Sequence, residues 1–95
     1  MEFGWDPEKA ATNVTRRGIS FAEAATVLED PLSTTFPDEA HSPGEMRFLT
    51  VGTSHRGRLL VVVHTERNDT IRIISARRAT RRERDFYEQD DPTRG

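Results

Sequence analysis

Cysteine is absent from the 95-residue chain, which excludes disulfide bonds and thiolate zinc sites. Hydrophobic residues make up only 34% of the sequence, and the longest apolar run covers residues 59–63. That run is too short to span a bilayer, because a membrane-spanning helix needs about 20 apolar residues. The first six residues lack the apolar stretch of a signal peptide. We therefore expect a single cytoplasmic domain with one modest core and no contact with a membrane.

Histidine is also scarce, and no familiar catalytic motif compensates for its scarcity. The three histidines are His41, His55 and His64. The first two fall in a predicted loop and a predicted turn, whereas His64 alternates with apolar residues on a predicted strand. The sequence contains no glycine-rich phosphate loop, HExxH motif or nucleophilic serine elbow. A pair of catalytic histidines is therefore not indicated, and neither a metal nor a cofactor is predicted.

Arginine is abundant, whereas lysine occurs only at Lys9. Ten arginines and only three acidic residues lie between positions 47 and 84, while residues 1–46 hold nine acidic and three basic residues. The formal net charge of −2 conceals this uneven distribution. Because a planar guanidinium binds phosphate through two parallel hydrogen bonds, the concentrated arginines predict a polyanionic partner, RNA or DNA. A merely solvated surface usually mixes lysine with arginine and both signs of charge.

Capping signals predict two helices in the acidic N-terminal half. Asp6 is suited to cap a helix over residues 7–17, which Gly18 ends. Ser20 and Glu23 form a capping box that begins a second helix. The Asp-Pro pair at positions 30 and 31 ends that helix.

Strand signals follow these helices. Three strands over residues 46–53, 59–66 and 71–78 are joined by short turns, which predicts an antiparallel meander with residues 59–63 at its buried centre. Shorter extended segments are predicted at residues 3–5 and 32–36.

A second capping box begins a C-terminal helix over about residues 81–89. It consists of Thr80 and Glu83. We therefore expect one domain over residues 1–89 and a flexible tail over residues 90–95.

Several separate blocks of the sequence resemble the BrnT toxin family of type II toxin–antitoxin systems. The resembling residues lie within 3–6, 18–24, 59–67 and 72–79, with further matches at Lys9, Asn13, Asp30, Glu45, Arg47, Gly52, Glu83, Arg84 and Tyr87. That family is similar to the RelE-like microbial ribonucleases. The resemblance implies a small RelE-like α+β domain. In such a domain, two N-terminal helices pack on a mainly antiparallel sheet that also carries a C-terminal helix.

The resemblance also implies a function and partners. It implies an endoribonuclease that inhibits translation by cleaving RNA without metal and is neutralised by a cognate antitoxin. That antitoxin is expected to be a BrnA-like ribbon-helix-helix protein that forms a heterotetramer with the toxin. Operator DNA is expected to be bound only through this toxin–antitoxin complex. One departure is visible before the second helix. The family commonly has Lys-His-Gly there, whereas this chain has Arg16, Arg17 and Gly18.

Arginines at strand ends are the candidate catalytic residues. In an antiparallel meander the end of one strand lies beside the start of its neighbours, so Arg67 is expected near Arg47 and, across a short turn, near Arg72. Strand alternation predicts that Arg72 and Arg77 face opposite sides of the sheet. We predict that Arg67 and Arg77 donate to the phosphate and the transition state, with Arg47 as a further catalytic residue.

The candidate proton-transfer group is a carboxylate. Glu45 or Glu66 is the candidate general base, although a neighbouring arginine lowers a carboxyl pKa and weakens the base. Arg72, Arg82 and His64 are the candidate RNA contacts. For each single arginine, a surface ion pair is the ordinary alternative role.

Two other functional classes fit the same residues. A nucleic-acid-binding module without catalysis would use the arginines only to neutralise phosphates. A protein-binding module would receive an acidic segment of its partner on the basic sheet. The small supply of proton-transfer groups, and Arg17 in place of the family-type histidine, favour the first of these alternatives.

Overall fold

The computed structural model describes residues 2–38 and 46–89. They form β1 (Glu2–Trp5), α1 (Pro7–Arg17), α2 (Phe21–Val27), β2 (Thr34–Pro37), β3 (Arg47–Thr53), β4 (Leu59–Arg67), β5 (Thr70–Arg78) and α3 (Arg81–Gln89). The predicted long strands and the predicted first and last helices are confirmed to within one residue. The predicted tail over residues 90–95 lies outside the described residues.

The strands form one sheet in the order β1-β5-β4-β3-β2. Strands β2 to β5 pair antiparallel, which confirms the predicted meander, while β1 pairs parallel to β5. The apolar residues of β4 explain its central place, because Leu60, Val61 and Val62 are all fully buried. Such a strand needs cover on both faces of the sheet, and helices supply it.

The predicted capping residues begin α1, α2 and α3 and end α1, whereas α2 ends at Val27, before the predicted Asp30-Pro31 pair. The Asp6 carboxylate accepts the Glu8 backbone N–H at 2.8 Å, and Ser20 Oγ accepts the Glu23 N–H at 3.0 Å. Gly18 ends α1 with a φ of 69°, a left-handed conformation that glycine adopts without steric cost. Thr80 Oγ1 accepts the Glu83 N–H at 3.2 Å, which begins α3 as predicted.

Helices α1 and α2 cover one face of the sheet, here called the α1/α2 face. Its buried core consists of Ile19, Phe21, Ala24, Val27, Leu60, Val62, Ile71, Ile73 and Ala76. Full burial of a large aliphatic or aromatic side chain contributes about 1.5–3 kcal/mol, so this cluster is the main source of stability.

Helix α3 packs on part of the other face, here called the α3 face. Val51, Leu59 and Val61 form a second, smaller buried cluster there. The Tyr87 hydroxyl anchors the helix by donating to the Asp30 carboxylate at 2.7 Å. Burial opposes the charged form of Asp30, but hydrogen bonds from Thr53, Tyr87 and Leu32 outweigh it and lower the pKa of this carboxyl.

A β-bulge interrupts the pairing of β4 with β5. Val63 lies opposite Ser75, whereas the next residue, His64, lies opposite Ile73. Ile74 is therefore an extra residue on β5, and the alternation of side chains changes phase at that point. As a result, Ile73 and the later residue Ala76 both enter the α1/α2 core.

Because of the bulge, two arginines are oriented differently from the prediction. Arg72 pairs with Thr65 and Arg77 pairs with Val61. Because Thr65 and Val61 are four residues apart on β4, their side chains share the α3 face. The prediction that Arg72 and Arg77 face opposite sides was therefore wrong, since uniform alternation along β5 does not allow for the extra residue.

Asn13 on α1 completes the edge of β5 beyond the end of β1. Strand β1 pairs with β5 only as far as Ile73. Further along, the Asn13 side chain accepts the Ala76 N–H at 3.2 Å and donates to the Ala76 carbonyl at 3.0 Å. It also donates to the Ile19 carbonyl at 2.9 Å. One buried amide therefore replaces a neighbouring strand and ties α1 to the sheet.

We expect Asn13→Ala to lower the free energy of unfolding by about 2–4 kcal/mol, because it leaves buried backbone groups unpaired. Urea unfolding followed by circular dichroism measures the change. Thr15→Ala, on the exposed side of the same helix, is the matched control and should stay within about 0.5 kcal/mol of the parent chain. Equal stabilities of the two variants would contradict the role of Asn13.

Candidate nucleic-acid interface

An open groove lies at the β4–β5 hairpin, on the α3 face of the sheet. It has a volume of about 600 Å³ and is lined by Gly4, Thr65, Arg67, Asn68, Thr70 and Arg72. We call it the hairpin groove. The antiparallel register forms it by bringing the end of β4 beside the start of β5, with Arg67 opposite Thr70.

The register also places a third arginine beside this groove. Thr65 pairs with Arg47 on β3 and with Arg72 on β5, so the two arginines flank it on the same face. Arg67 follows Thr65 by two residues and shares that face. The predicted proximity of Arg47, Arg67 and Arg72 is therefore confirmed by the strand pairing.

Sequence reasoning missed four residues of the hairpin groove, one of which is Thr70, the partner of Arg67. Gly4 pairs with Arg72 in the parallel register, and a Cβ atom built there would meet nothing within 4 Å. Thr65 forms the floor between two arginines, and Asn68 turns the hairpin with a φ of 56°. The turn at Asn68 was visible in the sequence, because asparagine tolerates this conformation. The place of Gly4 depended on the pairing of β1 with β5, which no local pattern predicted.

The hairpin groove is suited to binding phosphate. Arg67 and Arg72 are exposed, and Arg72 forms no salt bridge with any acidic residue in the described ranges. Guanidinium groups donate charge-assisted hydrogen bonds to phosphate oxygens and stabilise the additional charge of a phosphorane. Neither a carboxylate nor an imidazole is among the residues that line the groove. Its lining therefore offers electrostatic stabilisation rather than proton transfer.

Arg77 lies at the opposite end of β5 from the hairpin groove. Seven residues separate it from Thr70, the partner of Arg67, which corresponds to about 20 Å along the strand. The predicted pairing of Arg67 with Arg77 at one phosphate is therefore not what the structure shows. Strand direction is the physical reason, since antiparallel pairing brings the end of β4 to the start of β5 and not to its end.

Arg77 instead binds the capping residue of α3. Its two terminal nitrogens donate to the two carboxylate oxygens of Glu83 at 2.7 and 2.8 Å. Glu83 also accepts the Thr80 N–H at 2.8 Å. Hydrogen bonding from Arg77, helped by Thr80 and opposed by burial, lowers the pKa of Glu83 to about 2. The ion pair therefore holds the start of α3 against β5.

Arg58 is a second arginine with a structural role. It donates through Nε to the buried Glu23 carboxylate at 2.8 Å and through Nη2 to the other oxygen of the same carboxylate. Ser54 Oγ donates to Glu23 at 2.7 Å. Hydrogen bonding from Arg58 outweighs burial and, with Ser54 and the nearby Arg56, lowers the pKa of Glu23 to about 2. This network fastens α2 to the β3–β4 turn.

His64 is buried on the α1/α2 face, away from the arginines. Its side chain is 1% exposed and stacks on Phe48, with ring centroids 5.8 Å apart. Nε2 lies 2.7 Å from Thr50 Oγ1, whereas Nδ1 has no hydrogen-bond partner within the described part of the chain. Burial lowers the pKa of His64, despite the opposing influence of Glu66 at 3.8 Å. This position does not suit the predicted contact with RNA.

The remaining predicted site residues lie outside the hairpin groove or outside the described residues. Glu66 pairs with Ile71 and therefore faces the α1/α2 side. Arg82 lines a separate apolar cleft with Phe36 and Phe86. Glu45, the other candidate base, lies outside the described residues.

Within residues 2–38 and 46–89, no group of three or more His, Asp or Glu side chains is placed to hold a metal ion. No helix in those ranges has the length and apolar content needed to cross a membrane.

The fold and the groove together define a class of protein. It is a small α+β domain with helices on both faces of a mainly antiparallel sheet and an arginine-lined groove at one end of that sheet. Residues 5–83 match the family described as the ribonuclease toxin, BrnT, of type II toxin-antitoxin systems. The chain therefore belongs to the BrnT family of ribonuclease toxins, which confirms the resemblance found in the sequence. Membership of such a system implies an antitoxin partner.

A solved structure supports the same fold. The chain is similar to the Brucella abortus ribonuclease toxin, BrnT, with a TM-score of 0.67 and 24% sequence identity. The match covers 85% of this chain and 99% of the Brucella chain. No curated protein sequence matches the chain.

We expect Arg77→Gln to lower the free energy of unfolding by about 1–2 kcal/mol, because it removes the bidentate pair with Glu83. Arg72→Gln is the matched control, since it lies on the same strand and face, and it should change stability by less than about 0.5 kcal/mol. Urea unfolding of the two variants makes the comparison. A larger loss in Arg72→Gln than in Arg77→Gln would contradict the structural role of Arg77.

We expect stability to fall as the pH is lowered below about 6.5, because His64 titrates less readily when folded. The pKa of His64 is lower in the folded state than in the unfolded chain. As the pH falls, the unfolded chain therefore binds a proton at His64 before the folded protein does. The contribution of neutral His64 to stability is fully present only above the pKa of the unfolded chain. The free energy of unfolding, measured between pH 7 and pH 5, tests this. His64→Gln should remove most of the dependence in that window, where Glu23 and Glu83 stay charged in the folded state. An unchanged slope in that variant would assign the effect to another group.

Proposed function

We propose that this BrnT family member cleaves RNA at the hairpin groove without a metal ion, and that this cleavage inhibits translation. The observation that supports the site is the meeting of Arg67 and Arg72 in an open groove beside Arg47. The family supplies the ribonuclease class. The groove supplies cationic donors for the phosphate on which such an enzyme acts.

The proposed reaction is an internal transfer at phosphorus. The ribose 2′-oxygen attacks the adjacent phosphorus, and the bond to the 5′-oxygen of the next nucleotide breaks. The products are a 2′,3′-cyclic phosphate and a free 5′-hydroxyl, so one proton leaves the 2′-oxygen and one reaches the 5′-oxygen. Arg67 and Arg72 donate hydrogen bonds to the phosphate oxygens, where negative charge increases in the transition state.

Proton transfer is the part of this mechanism for which the groove lining provides no group. Glu66 and His64 belong to the other face of the sheet, so neither is proposed as the base. Glu45 stays our candidate, as predicted from its place two residues before Arg47 in the sequence. Correctly placed cationic donors alone still give substantial catalysis, and loss of one typically reduces a rate by about 10²–10³-fold.

We further propose that a cognate ribbon-helix-helix antitoxin neutralises the toxin in a heterotetramer, and that only this complex binds operator DNA. The exposed arginines support an acidic partner segment, because complementary charge favours fast and specific association. Arg82, on the exposed start of α3, is a candidate contact for RNA or for that partner. Residues 1–89 are proposed as the toxin domain.

The test is incubation of the purified chain with RNA in the presence of EDTA. We expect the parent chain to cleave RNA, and Arg67→Gln and Arg72→Gln each to reduce the rate by about 10²-fold or more. Arg84→Gln, an exposed arginine outside the groove lining, is the control and should keep the parent rate. Glu45→Gln tests the candidate base in the same assay.

Two results would contradict the proposal. Cleavage that disappears with EDTA would overturn metal independence. RNA that is bound in a salt-sensitive manner but stays intact would identify a nucleic-acid-binding module without catalysis, an alternative favoured by the lack of a proton-transfer group in the groove lining.

A further inference from the structure

A second groove lies between α1 and the edge of β5, where β1 has ended. It has a volume of about 400 Å³ and is lined by Asp6, Glu8, Lys9, Thr12, Asn13, Arg16, Arg17, Ile74 and Ser75. We call it the α1 groove. It exists because β1 pairs with β5 only up to Ile73, and because the bulge at Ile74 disturbs the edge that follows.

Basic side chains of α1 line this groove. Lys9 and Arg16 are seven residues apart, which is about two helical turns or 10.5 Å, so they lie on the same side of the helix. Arg17 lies beside Arg16 at the C-terminal end. None of these three side chains forms a salt bridge with an acid in the described ranges.

The two acids of the α1 groove lie at its other end. The Asp6 carboxylate accepts the Glu8 N–H, and both acidic residues belong to the start of α1, where negative charge stabilises a helix. The α1 groove therefore carries negative charge at one end and positive charge at the other, where Arg16 and Arg17 lie. The acidic end is the one nearer to the hairpin groove, because Asp6 directly follows Trp5, the partner of Ile73, whereas Asn13 further along α1 contacts Ala76. A polyanion would be held at the far end, by Arg16 and Arg17.

The α1 groove and the hairpin groove both use residues of β5. Arg72 lies opposite Thr65 and Ser75 lies opposite Val63, so both share the α3 face. They are three residues apart, a distance of about 10 Å along the strand. Ser75 is half-buried and lines the α1 groove. An RNA strand that leaves Arg72 along β5 therefore passes Asp6 and Glu8 before it reaches Arg16 and Arg17.

We propose that the α1 groove binds backbone phosphates of the single-stranded RNA substrate beyond the nucleotides held in the hairpin groove. Lys9, Arg16 and Arg17 contact the phosphates, and Ser75 donates a hydrogen bond to the same strand. This inference rests on the proposed function and extends it from a single phosphate site to a second set of phosphate contacts. Such contacts increase affinity with RNA length and carry no base specificity.

The experiment measures the binding of two 2′-O-methyl oligonucleotides, a trinucleotide and an octanucleotide, which resist cleavage through the 2′-oxygen. Fluorescence anisotropy compares the parent chain, Arg16→Gln/Arg17→Gln and Arg67→Gln. Arg81→Gln/Arg84→Gln is the matched control, because it removes two exposed arginines outside both groove linings. Circular dichroism checks that each variant is folded.

We expect Arg16→Gln/Arg17→Gln to weaken octanucleotide binding by roughly tenfold and to leave trinucleotide binding unchanged. For the octanucleotide, the slope of the logarithm of the association constant against the logarithm of the salt concentration should be smaller in magnitude by about 1.4 in Arg16→Gln/Arg17→Gln than in the parent chain. That is the value for two phosphate contacts on a single strand. Arg67→Gln should weaken the binding of both oligonucleotides. The control variant should lose less octanucleotide affinity than Arg16→Gln/Arg17→Gln.

Two outcomes overturn the inference, and they differ in what happens to the proposed function. Equal octanucleotide binding by Arg16→Gln/Arg17→Gln and the control, with Arg67→Gln still weakened, would overturn the α1 groove alone. Absence of binding of either oligonucleotide by the parent chain would overturn both the α1 groove and the hairpin groove as RNA sites.

Discussion

The bulge at Ile74 is the constraint on which both the core and the basic surface depend. Strand β5 carries core residues before the bulge, at Ile71 and Ile73, and after it, at Ala76. Only a change of phase places all three on the α1/α2 face, because side chains of a regular strand alternate. The same change turns Arg77 away from the core and onto the face that carries Arg72. Without the extra residue, a guanidinium would compete with apolar side chains for the buried face.

Two pairs of arginines in the described part of the chain have different physical roles. Arg58 and Arg77 are each bound through two hydrogen bonds to a carboxylate, Glu23 or Glu83, and hold α2 and α3 in place. Arg67 and Arg72 line the hairpin groove. A count of arginines in the sequence does not separate these roles, because they depend on where the fold places each side chain. Of these four arginines, Arg67 and Arg72 give a surface for phosphate.

The sequence predicted the elements of the fold better than the composition of the site. Capping residues such as Ser20 and Gly18, and the apolar run at the start of β4, act locally, so their effects were visible along the chain. The meander also followed from short turns. The grouping of Arg67 with Arg72 followed from strand direction. The predicted pairing of Arg67 with Arg77 was wrong for that same reason. The orientation of Arg77 depended on a bulge that no residue type in the sequence predicts.

The parallel pairing of β1 with β5 has a consequence for synthesis of the chain. Gly4 and Arg72 line one groove, although one belongs to the first strand and the other to the last. Contacts between such distant segments form late, because a long loop must close before they contribute stability. A nascent chain that has not yet emerged as far as β5 therefore lacks both the docking edge for β1 and half of the groove. In a family of ribonuclease toxins, this order delays assembly of the basic surface until β5 has been translated.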